Sequence, residues 1–378
     1  MYKHMNFVQQ TLGVQEVYDA YDTNKAKFKL DPYEQPMWCI GPKKQTQVKI
    51  LKCFAISGVK CGYFWTPSLT EMKTQAIFLA AHANMKNRDD VDIKHMDHIE
   101  SNAFHKTKDA NNAVIQAASQ FNCLEFSTPS VTPEAGVAVY QYDKTQGPAC
   151  AIACPAGTVW RNYFANMLNG TSGQTKHNQI NTLFDFEQKI HDFAVQKGLA
   201  TQLETKHYWT VKNGYIESSE EQLRILNTLL ESLTPSQLDE LKGTLRIGVQ
   251  WKTDVWMPDG KHQPVTQTYC SAISIAYSTV NPQSLWAPLA KLILEATYEL
   301  TMWTTVWNNA QLVLANEISV TNLRPCFLTK VGGGVFGNDP KWICTAINKG
   351  AKVIKDAKFP LDIRITHYGQ IESAYVNT

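Results

Sequence analysis

The apolar positions of this chain fall into stretches whose spacing switches between the two-residue repeat of a strand and the longer repeat of a helix. Gln47–Gly58 is dense in Val, Ile, Leu and Phe and predicts a strand, with Cys61–Trp65 as its pairing partner. Beyond Pro67, Ser68 is placed to cap a helix whose apolar residues Met72, Ala76, Ile77, Leu79, Ala80 and Ala83 recur at helical spacing. About 45 residues ahead of this mix charges, tyrosines and prolines without a period, and predict an irregular lead-in. The polar, histidine-bearing segment NRDDVDIKHMDHIESNAFHK reads as a solvated loop, and Asp109–Phe121 as a second helix.

From about Thr128 the pattern becomes a regular alternation of strands and helices. TPSVTPEAG is a turn-rich connection. Strands are expected at Val137–Tyr142, Ala149–Cys154, Thr244–Gln250, Thr266–Ala276, Arg324–Val331 and Asp362–His367. Helices are expected at Gln179–Gln196, Leu285–Asn308 and Lys341–Lys355. The aromatics Trp286, Tyr298, Trp303 and Trp307 sit at helical spacing in the second of these and predict core packing. Strands joined by helices imply an α/β fold, three layers deep, with a mixed but mostly parallel sheet. The change of pattern suggests an N-terminal α/β extension, residues 1–127, attached to a main domain, residues 128–378.

Composition narrows the function. With 378 residues, 44% hydrophobic and 19% charged, the chain can bury a large core without disulfides or a structural metal. Lys and Arg number 36 against 34 Asp and Glu, so there is no general basic field, and no nucleic-acid partner is expected. The apolar runs, such as Phe78–Ala81 and Ile293–Ala296, are far shorter than the roughly 20 residues of a membrane helix. No membrane partner is expected either. The start, MYKHMNFVQQTLG, is too polar for a secretory signal.

Nine dispersed cysteines fit reduced thiols in an intracellular compartment. Cys150 and Cys154 have no second close cysteine pair to complete a zinc site. His95, His98 and His105 lack the spacing and the glutamate of the helical zinc motif. Neither a metal nor a cofactor is implied.

The most informative stretch is RPCFLTKVGGGVFGNDPKWICTAINKGAKVI, where a strand runs into Gly332, Gly333, Gly334, Val335, Phe336 and Gly337, followed by Asn338 and a helix after Pro340. Adjacent glycines allow positive φ and bare backbone N–H groups, and the next helix offers its positive end; together these can hold a diphosphate. The Gly-Lys-Ser/Thr of a nucleotide-hydrolysing P-loop is absent, and a dinucleotide fingerprint belongs at the start of a domain.

Strand, GGGVFGN, helix and a last strand ending near an aromatic closely resemble the C-terminal part of a macrodomain, a family that binds ADP-ribose. The resemblance covers about residues 137–190 and 320–370. It implies that Gly332–Gly337 hold the diphosphate, with Phe336 beside the distal ribose and Tyr368 as a candidate for stacking on adenine. Asp143, ahead of Ala151–Cys154, matches the family's adenine-reading aspartate; an exposed turn aspartate is the other reading of it. The family's Asn-Ala-Ala-Asn is replaced by Ala153-Cys154-Pro155-Ala156-Gly157, a departure that removes its ribose-side asparagine.

GTSGQTKHNQINTLFDFEQKIHDF resembles the place where poly(ADP-ribose) glycohydrolases carry a glycine-rich loop and Gln-Glu-Glu. Asn178 and Gln179 stand there instead, and amides deliver no proton. Asp185, seven residues after Asn178 and on the same helical face, is then the first candidate for the acid/base, or a solvated surface aspartate. The resemblance implies an ADP-ribose-binding protein that removes ADP-ribose from modified protein as an ADP-ribosylhydrolase. A noncatalytic ADP-ribose reader and another nucleotide or sugar-phosphate protein remain open.

Overall fold

The computed structural model describes residues 5–88, 90–199 and 208–376. The first four residues of the polar N-terminal start and Asp89 of the histidine-bearing segment lie outside them. In chain order the described strands are β1 Asp31–Ile40, β2 Thr46–Ile56, β3 Val59–Trp65, β4 Val91–Met96, β5 Val114–Ala118, β6 Thr210–Lys212, β7 Tyr215–Glu217, β8 Gly248–Val255, β9 Gln263–Cys270, β10 Cys326–Leu328 and β11 Leu361–Thr366. The α-helices are α1 Phe7–Leu12, α2 Tyr21–Lys27, α3 Leu69–His82, α4 Ser101–His105, α5 Gln146–Ala153, α6 Pro155–Tyr163, α7 Phe184–Gln196, α8 Glu220–Ser232, α9 Pro235–Thr244, α10 Ala287–Leu314 and α11 Pro340–Asp356.

Nine strands form one sheet in the order β1-β2-β3-β8-β9-β5-β10-β11-β4, and β6 and β7 form a separate hairpin. From β9 through β5, β10 and β11 to β4 every pair is parallel. From β1 to β9 every pair is antiparallel. The sheet is therefore mixed in equal halves, and its parallel half is the one whose strand ends can form a ligand crevice. Helices cover both faces, so the fold is the three-layer α/β/α arrangement. On one face α10 lies across the parallel strands beside α3 and α11, and on the other face lie α4, α5 and α6. Trp286, Tyr298, Trp303 and Trp307 are buried in and beside α10, as their spacing predicts. No helix among the described residues is long and apolar enough to cross a membrane.

The predicted cap of α3 is present: Ser68 Oγ accepts from Glu71 N at 3.2 Å while Ser68 N donates to Glu71 Oε2 at 2.9 Å. The predicted strands and helices after residue 244 also occur, with shifted ends. Five local readings are corrected. The lead-in contains β1, whose Pro32 and Pro36 are tolerated because it is an edge strand. The histidine-bearing segment contains β4, the opposite edge, and is polar because that edge is only half buried. Asp109–Phe121 holds the buried strand β5 rather than a helix; a short apolar run reads either way, and only a parallel neighbour on each side makes it a strand.

Val137–Tyr142 and Ala149–Cys154 are helical, not strands. The small residues there serve close helix-on-sheet packing: a Cβ on Gly147 would lie 1.8 Å from the carbonyl oxygen of Ala118. β4 and β5, from before residue 127, pair in the parallel half with β9, β10 and β11 from beyond it.

His105, at the end of α4, is fully buried, with Nε2 3.0 Å from Gln267 Nε2 and Nδ1 bonded to the Ser101 carbonyl. Burial pushes its pKa down to about 4. Between pH 6.5 and 4 the unfolded chain takes up a proton that the folded chain refuses, so stability falls as pH drops through that window. The expected loss is about 3 kcal/mol between pH 7 and 4. Urea unfolding at the two pH values checks this, and His105→Gln should show a correspondingly flatter dependence.

Candidate functional site

β5, β9 and β10 are parallel, so their carboxyl ends open on one edge of the sheet. The chain leaving β5 supplies Ser119, Gln120 and Glu125; that leaving β10 supplies residues 329–332 and 334–336; Tyr215 of β7 and Tyr277 close the side. They enclose a cavity of about 290 Å³. Gln146, in the first turn of α5, fixes its floor by accepting from Ala118 N at 2.8 Å and donating to Gln116 O at 2.8 Å.

The glycine-rich loop forms one wall. Three of its amides are used within the loop: Gly333 N donates to Lys330 O, Gly337 N to Gly334 O and Asn338 N to Gly332 O. Those of Gly334, Val335 and Phe336 donate to nothing among the described residues, which leaves three consecutive N–H groups for an anion. Gly332 is obligatory: its φ is +75°, and a Cβ would lie 2.5 Å from that of Ala272. Phe336 O accepts from Ala276 N, and the ring meets Tyr215 and Tyr277 at 5.7 and 5.8 Å.

The helix end expected to support the loop is a different one. At α11, Asp339 caps the first turn through Lys341 N at 2.8 Å, and none of its residues line the cavity. The first turn of α5 does line it, and Thr145 at its N-cap makes no side-chain capping bond. The positive helix end at the cavity is thus that of α5.

Buried in the wall is Glu125, 1% exposed. Arg161 of α6, fully buried, donates from one nitrogen to both carboxylate oxygens at 3.0 and 2.9 Å, and Ser119 Oγ donates to Oε1 at 2.9 Å. Arg161 is itself held by Cys123 O at 2.9 Å, by the Tyr269 hydroxyl, and by stacking 3.6 Å from the Tyr269 ring centre. Burial pushes the Glu125 carboxyl above its usual range, and Arg161 and Ser119 pull against that rise. The side chain is wholly buried beside the cavity, with both oxygens held by Arg161 and Ser119, and a carboxyl with a raised pKa is suited to giving and taking a proton. Gln120, also in the lining, adds a buried side-chain oxygen with no partner among the described residues, a group that calls for an N–H or O–H donor.

Of the residues expected from sequence, the structure gathers Asp143, Gly332, Gly334, Val335 and Phe336 around this cavity. Asp143 Oδ1 accepts from Thr145 N at 2.8 Å, the turn bond of its other reading, while the residue also faces the cavity. Gly333 backs onto Ile343, and Gly337 onto Ala276, outside the lining. Asn338 is a buried brace whose Nδ2 ties Gly332 O to Ile273 O.

Tyr368 is 80% exposed and away from the cavity. Asn178 is tied into a surface turn with Asn169 and Thr171, and Gln179 holds Asn122 and Asn213. Asp185 is ion-paired with Arg246 at 2.6 Å, also outside the lining, so the acid expected on that helix is absent from the site. Glu125, Arg161, Gln120, Tyr215 and Tyr277 were not anticipated. The available signal for Glu125 is a lone acid inside the apolar run CLEF just beyond a strand.

His95, His98 and His105 do not converge, and no group of three or more His, Cys, Asp or Glu placed to hold a metal ion occurs among the described residues. No family model matches the sequence, and no curated protein sequence matches it. Among solved structures the chain is similar to the poly(ADP-ribose) glycohydrolase of Thermomonospora curvata, with 10% identity over 89% of this chain and 90% of that one and a TM-score of 0.34. It is similar also to the poly(ADP-ribose) glycohydrolase of Deinococcus radiodurans, solved in complex with ADP-ribose, with 9% identity over 82% and 90% and a TM-score of 0.33. Likeness of that degree says nothing about the chemistry of this site.

Proposed function

We propose that this cavity binds ADP-ribose and that the chain is an ADP-ribosylhydrolase, releasing ADP-ribose from modified protein. One observation carries the reading: a single cavity unites three free consecutive amides with a buried carboxyl of raised pKa. The amides of Gly334, Val335 and Phe336 take the diphosphate, helped by the first turn of α5. Asp143 accepts from the adenine amino group, Gln120 Oε1 from a ribose hydroxyl, and the rings of Tyr215, Tyr277 and Phe336 wall the sugar and base.

The chemistry then needs one proton carrier. When it carries a proton, Glu125 gives that proton to the leaving atom as the bond from that atom to the anomeric carbon breaks, with oxocarbenium character developing on the ribose. Water adds to that carbon and returns a proton to Glu125, which restores the starting state. Arg161 and Ser119 hold the carboxyl and stabilise its ionised form between the two transfers. The roles expected for Asn178, Gln179, Asp185 and Tyr368 lapse with their positions.

A reader that binds ADP-ribose without cleaving it is the second reading, favoured by the pairing of Glu125 with Arg161. Release of free ADP-ribose from a mono-ADP-ribosylated protein separates the two. The binding mode has its own test in Gly334, which lines the cavity, has no positive φ and has open space where a Cβ would go. Gly334→Val should leave the thermal midpoint unchanged and weaken ADP-ribose binding about 10–100-fold, the scale of losing one or two hydrogen bonds to a charged group. Calorimetry on the folded variant checks it.

A further inference from the structure

A second cavity, of about 510 Å³, adjoins the first and shares Ser127, Tyr215 and Tyr277 with it. Its chemistry differs. Beyond the shared tyrosines its side chains are mainly short hydroxyls, Thr128, Ser218, Ser274, Ser278 and Thr279, with one carboxylate, Glu217. No Lys, Arg or His is found among its described lining residues.

We propose that this second cavity is the acceptor subsite: it holds the peptide segment that carries the ADP-ribosyl group, and it favours a single ADP-ribosyl unit on protein over ADP-ribose polymers. The inference rests on the proposed function of the first cavity. Ser127, Tyr215 and Tyr277 belong to both cavities, so the second opens directly from the first. What departs from the anomeric carbon must pass that way.

Two kinds of acceptor are conceivable there, and charge decides between them. A hydroxyl gives one donor and two acceptors, which matches the alternating N–H and C=O groups of a peptide. A polymer would instead bring a second diphosphate into a space that offers no cation and one like charge, Glu217. Its lost hydration would go uncompensated, in contrast to the first cavity with its three free amides.

The test compares the wild-type chain with Thr279→Trp, an exposed rim substitution that fills the second cavity, and with Glu217→Lys. The probes are free ADP-ribose, a synthetic peptide bearing one ADP-ribosyl group, and poly(ADP-ribose). The peptide should bind wild type about fivefold tighter than free ADP-ribose, and the polymer no tighter. Thr279→Trp should remove the peptide's advantage and leave affinity for free ADP-ribose within about twofold. Glu217→Lys should strengthen polymer binding about threefold at low salt, with the gain lost at high salt.

A peptide no tighter than ADP-ribose, a polymer preferred by wild type, a Thr279→Trp variant equally weakened toward free ADP-ribose, or a Glu217→Lys variant with no salt-sensitive gain would overturn the subsite. If wild type binds ADP-ribose and any of these holds, the subsite alone is wrong. If wild type binds no ADP-ribose, the reading of the first cavity falls and the subsite with it.

Discussion

Glu125→Gln is expected to slow release of ADP-ribose about 10²–10⁴-fold, the range for removing a general acid/base. The amide keeps the shape of the carboxyl and its oxygen can still accept from Arg161 and Ser119, but it leaves the buried Arg161 cation without a counter-charge, so the variant should lose about 3–5 kcal/mol of stability; where it remains folded, affinity for ADP-ribose should stay within a few fold. It has no acidic proton to give to the leaving atom. Single-turnover release from an ADP-ribosylated protein, paired with a binding curve, measures both halves. Turnover retained in a folded Glu125→Gln variant would move the proton transfer to another group.

An equally large effect on stability is expected from the other half of the pair. Arg161→Met should destabilise the fold by about 3–5 kcal/mol, because it leaves a buried carboxylate without its counter-charge. It also deprives Cys123 O and the Tyr269 hydroxyl of a partner.

The pH dependence gives this prediction its signature. Without Arg161 the folded-state pKa of Glu125 rises further above the unfolded value, so the folded chain takes up a proton that the unfolded chain lacks. Stability associated with that group is full below the unfolded pKa and is lost as pH rises through the folded one. The deficit of Arg161→Met relative to wild type should therefore shrink on acidification. Urea unfolding at several pH values checks the sign, and the double replacement of Glu125 and Arg161 by apolar residues should be less destabilised than Arg161→Met alone.

The elements after residue 244 were legible because each carries its own local signal. Pro340 opens α11, the run after Pro325 makes β10, and the aromatics of α10 repeat at helical spacing. The glycine-rich loop was legible too, since three adjacent glycines have few purposes outside a tight turn or a close approach to a ligand. Locating the acid required long-range information. Glu125 becomes recognisable only once β5 is seen as a strand opening into the crevice, and β5 reads as a helix until β9 and β10 are placed on either side of it.

Its partner Arg161 lies 36 residues away on a helix whose small-residue surroundings mimic a buried strand. Asp185 illustrates the converse. The helical face it was expected to share with Asn178 does not form, because α7 begins only at Phe184 and Asn178 lies in the turn before it, and Asp185 itself meets Arg246 rather than a ligand. Local periodicity reports which residues share a side, and only the tertiary arrangement reports what that side meets.

The most direct measurement is a calorimetric titration of the wild-type chain with ADP-ribose, set beside ADP and ATP. The account predicts one-site saturation by ADP-ribose, tighter than either nucleotide, because only ADP-ribose offers both the diphosphate and a distal ribose beside Glu125 and Gln120. No saturable binding of ADP-ribose, or ATP bound more tightly than ADP-ribose, would contradict it.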